Sequence, residues 1–141
     1  MSFSLTIRTA EEIDADNLTR EKKSSQAWIA KLLTDTAQAI TGDVPVSEQV
    51  SWPVKAASAR AFLADEATPA QIADLQAEAN LTDEAINDLA QAIVARAEAY
   101  AQAAAKMAGL RRRAENAVVK ATTLEELRTA MRSLTDDIKT L

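Results

Sequence analysis

Apolar residues recur at intervals of three and four along most of this chain, and the exception lies at its start. There, Phe3, Leu5 and Ile7 alternate with Ser4 and Thr6, the period of two that marks an extended strand. A lone strand leaves its backbone groups unpaired and requires a partner edge. That edge belongs to another subunit or another protein, or else the segment folds onto its own helices or frays.

The helical spacing takes over at Thr9. Thr9 and Glu12 form a capping-box pattern, and a helix is expected from there to about Thr41, stopped by Gly42. Its first turns carry Glu11, Glu12, Asp14 and Asp16, which suit the positive end of a helix dipole. Residues 19–26 are polar throughout, whereas Trp28, Ile29, Leu32, Leu33 and Ile40 form an apolar later half. One half is therefore built to pack and the other to stand in solvent or at a wet interface. Asp43 to Gln49, with Pro45, reads as a linker. Ser51-Trp52-Pro53 opens a helix to about Asp65, and Thr68-Pro69 with Gln71 opens a short one ending near Asn80.

Thr82 is placed to cap the longest helix. Ile86, Leu89, Ile93, Ala97, Tyr100, Ala104, Met107 and Leu110 follow at helical spacing. Carried to about Lys120, this helix is roughly 57 Å long at 1.5 Å per residue. Gly109 inside it marks a bend, a close helix contact, or the end of one helix and the start of another. Thr123 and Glu126 repeat the capping box, and Leu124, Leu127, Met131, Leu134 and Ile138 make an amphipathic stripe. The short connections favour antiparallel neighbours. The fold class expected is all-α. It is a helical bundle with one long helix, preceded by a short N-terminal β-strand and an extended helix. Residues 1–45 read as an attachment or oligomerisation element and residues 46–141 as the helical domain.

Composition thins this picture. Hydrophobic residues make up 48% of the 141, but aromatics only 4%, and much of the remainder is alanine. Alanine favours helix and buries little area, so thin seams between helices are expected, with stability leaning on neighbouring subunits. A net charge of −5 argues against non-specific nucleic-acid binding. No apolar stretch is long enough to span a bilayer, and no basic region followed by an apolar run suggests a secretory signal.

The chain has no histidine and no cysteine. This removes the commonest general base, the thiol nucleophile and the usual nitrogen and sulfur metal ligands. The acidic tract Asp65, Glu66, Asp74, Glu78, Asp83, Glu84 and Asp88, with no cation between Arg60 and Arg96, has the oxygen ligands a hard cation takes. It lacks a glycine-containing calcium loop and reads as solvated surface. A serine–lysine pair, Lys55 with Ser51 or Ser58, has only ordinary helix-surface spacing. No catalytic residue, cofactor site or metal site is assigned. Arg111-Arg112-Arg113 fan around their helix, so at most one or two grip an acidic partner, such as the acidic tract of a neighbouring copy. The alternative is complementation of a helix dipole. Charge runs from acidic in the middle to basic after Arg96, which suits a head-to-tail assembly. Trp28 and Trp52 are large anchors for packing within the chain or between subunits.

Five stretches together carry a resemblance. They are Trp52-Pro53-Val54-Lys55-Ala56-Ala57-Ser58-Ala59-Arg60-Ala61-Phe62-Leu63-Ala64, Thr68-Pro69, residues 92–100, Gly109-Leu110-Arg111-Arg112, and residues 121–127. The last two thirds of the chain resemble small, alanine-rich helical proteins encoded among bacteriophage and prophage tail genes, near tail fibres and baseplate components. The resemblance implies a non-enzymatic structural or attachment role in a phage tail. It also implies a protein made in the bacterial host cytoplasm and located in the virion. The alternative within the same setting is an assembly chaperone that does not stay in the particle. Expected partners are other tail proteins, by strand addition at Phe3, Leu5 and Ile7, and further copies of the chain. Trp28, Arg111 and Arg112 are the other expected contact residues.

Overall fold

In the computed structural model, which describes residues 7–141, every regular element among the described residues is a helix. In chain order these are α1 (Ala10–Thr41), α2 (Val46–Gln49), α3 (Trp52–Leu63), α4 (Pro69–Thr82), α5 (Ile86–Lys120) and α6 (Leu124–Ile138). The all-α expectation agrees with this. Of the expected strand, Phe3 and Leu5 lie outside the described residues, and Ile7 sits in irregular backbone, 84% exposed.

The chain forms two compact units. A terminal unit takes the chain up to Ala37 together with Lys106–Leu141, and a central unit takes Gln38–Ala105. In the terminal unit, Ile29 and Leu33 of α1 meet Met107, Ala114 and Val118 of α5, Ala121 of the following turn, and Leu127 and Leu134 of α6. Leu18, Leu32, Leu110, Met131 and Ile138 surround this cluster, half-buried. The stripe expected on α6 is therefore the buried one, except that Leu124 stays 38% exposed at its start. At the head of α1 the full capping box forms. The Glu12 amide donates to Thr9 Oγ1 at 3.1 Å, and the Thr9 amide donates to the Glu12 carboxylate at 2.8 Å. On α6 the box is displaced by one residue. Thr123 Oγ1 accepts from the Glu126 amide at 3.2 Å, but Glu126 reaches back to the Thr122 amide, at 2.6 Å.

Lys22 lies in the polar stretch of α1 and has a specific task. Its ammonium donates to the Val119 carbonyl at 3.0 Å, one of the last carbonyls of α5. A cation there complements the negative end of the helix and satisfies an otherwise orphan acceptor.

The central unit is thinner. Its buried core is Ala56 and Ala59 of α3, Leu75 and Ala79 of α4, and Leu89, Ala90 and Ile93 of α5. Ala59, Ala79 and Ala90 have no exposed surface, so each of the three helices sets an alanine into the seam. Two contacts between helices supplement it. The Trp52 and Tyr100 rings meet edge to face, with centroids 5.9 Å apart, joining α3 to α5. Lys55 of α3 pairs with both oxygens of Glu78 of α4, at 2.6 and 2.7 Å.

Three local expectations are corrected. The linker expected at residues 43–49 contains the single turn α2. Proline explains why this turn does not run unbroken into α3: Pro53 has no amide for the Gln49 carbonyl, and its ring would crowd that carbonyl. Helix α4 continues past Asn80, and Thr82 is its last residue rather than the cap of α5. Asp83 takes the left-handed conformation (φ 56°), and the Glu84 amide closes onto the Ala79 carbonyl at 3.0 Å. Asp65 ends α3 in the same way (φ 57°), with the Glu66 amide on Ala61 at 2.8 Å. Finally, Gly109 lies within continuous α5, and a β-carbon built there meets nothing within 4 Å, so neither a helix end nor a close contact in this chain accounts for it.

Two outcomes follow for stability. Ala59→Leu inserts carbons where none fit and should cost about 1–3 kcal/mol in urea unfolding, while Ala57→Leu, on the exposed side of α3, should be near neutral. Asp83→Gly relieves a left-handed position and should stabilise by about 0.5–1 kcal/mol in the same assay, despite the flexibility of glycine in the unfolded chain.

Candidate functional site

The hydroxyl and amine groups weighed for catalysis are engaged elsewhere. Ser51 Oγ donates to the Glu48 carbonyl at 2.7 Å and Ser58 Oγ to the Val54 carbonyl at 3.0 Å. Lys55, between them in sequence, is held by Glu78. A serine–lysine dyad is therefore not assembled. Among the described residues no three carboxylates cluster as a metal site would need, and no helix is long and apolar enough to cross a membrane.

What the helices do present is apolar surface. Pro45 starts α2, with the Glu48 amide on its carbonyl at 2.9 Å. Val50 (φ −65°, ψ −22°) and Ser51 (φ −82°, ψ −17°) stay right-handed, so the chain passes from α2 to α3 in one helical direction. Residues four apart on such a path share a face. Val46, Val50 and Val54 do so, and they are 75%, 70% and 70% exposed. Beta-branched residues are poor choices for an exposed helix face on propensity alone, and these three find no core to enter.

A second outer face belongs to α4. Ala70, Ala73, Ala77 and Leu81 follow one another at spacings of three and four, all exposed, and Leu81 is 89% exposed. Asp74 lies beside this row, and Glu66 and Asp83 lie at its two ends.

In the terminal unit the arginine run separates as helical geometry requires. Arg113 pairs with Asp137 of α6, whereas Arg111 and Arg112 are exposed with no carboxylate partner among the described residues. On the Arg112 side, Lys106, Gly109, Asn116, Val119 and Lys120 are also exposed, and Val119 is 65% so. Between α5 and α6 runs an open groove of about 640 Å³, lined by Leu110, Ala114, Ala117, Ala130 and Leu134 and edged by charged side chains. The edge charges are mostly spent within the unit: Arg113 on Asp137, Glu126 on Thr122, and Glu125 on Arg128 and Arg132.

Of the contact residues read from sequence, Phe3 and Leu5 lie outside the described residues. Ile7 is exposed before α1, and Trp28 is 39% exposed beside the buried Ile29. Trp52 acts within the chain, against Tyr100. The valine row escaped notice in the sequence because it crosses a presumed linker. The signal available was its spacing of four through Pro53.

Val50→Ser and Val54→Ser should each change the unfolding free energy by less than about 0.5 kcal/mol, as substitutions at surface positions do. A loss above about 1.5 kcal/mol would show instead that these valines are packed within the chain.

Compared with known proteins, the chain matches no family model, no curated protein and no solved structure.

Proposed function

We propose that this chain is a non-enzymatic contact protein of a bacteriophage tail, in the baseplate or tail-fibre region. The setting comes from the resemblance of its last two thirds to small helical proteins encoded among tail genes. The mode of action rests on one observation above the others: Val46, Val50 and Val54 form an exposed apolar row with no partner among the described residues. Large side chains left outside a thin core are what a surface built for association displays. A partner that covers them gains the burial that the alanine seams forgo. The chain before α1 serves as the attachment element, with Phe3, Leu5 and Ile7 adding a strand to a neighbouring tail protein, while α1 itself packs in the terminal unit.

Mass spectrometry of tail particles purified from the encoding phage should find the chain at a fixed copy number. Deleting residues 1–8 should leave its helical circular dichroism intact and remove it from the particles. Particles that lack the full-length chain, with the protein present only in the lysate, would overturn the virion role and match an assembly chaperone. Incorporation of the truncated chain would overturn the strand-addition role.

A further inference from the structure

Charge divides sharply between the two units. The central unit carries ten carboxylates against three cations, a net of −7, and the terminal unit thirteen cations against eleven carboxylates, a net of +2. The division shows again on two outer helix faces. On α4, the row Ala70, Ala73, Ala77 and Leu81 is accompanied by Asp74, with Glu66 before the helix and Asp83 after it, none of the three paired with a cation among the described residues. On α5, Gly109, Arg112, Asn116 and Val119 follow at spacings of three and four, with Lys106 and Lys120 on the same side. None of these three cations has a carboxylate partner among the described residues; of the α5 carboxylates, Glu115 flanks the row, three residues after Arg112 and four before Val119, and Glu98 lies on the same side about three turns before Gly109.

The α4 row has alanines at its centre and the α5 row has Gly109 at one end, small residues that let helix backbones approach, and each carries one large exposed apolar side chain, Leu81 on one and Val119 on the other. Gly109 supports the pairing. A mid-helix glycine is destabilising relative to alanine, its backbone is ordinary, and a β-carbon there would meet only open space. Nothing within the chain asks for glycine at that position, whereas a helix laid across it from outside does.

We infer that the outer face of α4 in one copy docks on the Gly109–Arg112 face of α5 in a second copy, a head-to-tail contact between unlike surfaces. The inference deepens the contact-based reading by naming one partner as the chain itself. Asp74 and Asp83 then face Arg112, Lys106 and Lys120 across the contact, while Leu81 and Val119 lose their exposure to water. Because each copy carries one surface of each kind, the contact is heterologous and can continue from copy to copy. Screening of its charges makes the association depend on salt.

Sedimentation velocity on the full chain tests this. At about 100 µM protein and low salt, species heavier than the 15.2 kDa monomer are expected, weakening at least about tenfold in affinity between about 0.05 and 0.5 M salt. Leu81→Asp and Arg112→Glu, both at exposed positions, should each give a folded monomer. Mixed together they should form a one-to-one dimer and nothing larger, since each retains the surface the other has lost. Gly109→Leu should raise helix propensity, stay folded and remain monomeric, which keeps the test decisive if another variant misfolds. A wild-type monomer at low salt would overturn the inference. So would association that persists in all three variants, or failure of the two mutants to pair. A monomer that is nonetheless present in purified particles would overturn this inference alone and leave the tail-contact reading standing.

Discussion

Alanine at the helix seams of the central unit is the constraint on which its packing depends. In the central unit Ala59, Ala79 and Ala90 are wholly buried, one from each helix. A methyl group at a seam lets helix backbones come close, but it removes little apolar area from water. Roughly 0.8 kcal/mol per buried carbon is gained, against about 1.5–3 kcal/mol for a whole leucine or phenylalanine. The seam therefore specifies geometry more than it supplies stability. Its tolerance is narrow in one direction, because added carbons have nowhere to go. The Trp52–Tyr100 edge contact and the Lys55–Glu78 pair add fixed points where a larger core would not need them.

The helix ends carry a corresponding share of the specification. Thr9, Thr68 and Thr123 each accept from the amide three residues on, which fixes where α1, α4 and α6 begin. Asp65 and Asp83 close α3 and α4 in left-handed turns, and Lys22 covers a terminal carbonyl of α5. With short side chains in the seams, these polar contacts help decide register.

Most of the helices were legible in the sequence because the apolar spacing and the caps agreed. Gly42 ends α1 as its position suggests, and the stripe on α6 is the one that is buried. The failures have physical causes. Thr82-Asp83-Glu84 has the composition of a helix start, yet Asp83 tolerates the left-handed turn that ends α4, and local composition does not distinguish the two uses. Lys22 lies in a polar stretch that reads as solvated, and only the tertiary arrangement brings Val119 within its reach. Gly109 reads as a bend, a close contact or a helix end because mid-helix glycine usually has a local reason, and α5 supplies neither an end nor a close contact there. The proposed contact surfaces were half legible. The charge asymmetry and Arg112 stood out, whereas the valine row was hidden by the proline that separates α2 from α3.

Thin seams, exposed valines and leucine, and opposed charge on two helix faces form one physical account. Apolar area that the fold does not bury is available for contacts, and those contacts return stability to the folded chain. Anything that binds the folded state alone raises its melting temperature by mass action. Calorimetry of the full chain at concentrations from about 2 to 200 µM measures this return directly. The account predicts a melting temperature that climbs by several degrees across that range at low salt and flattens when salt is raised. A melting temperature identical at every concentration would contradict it.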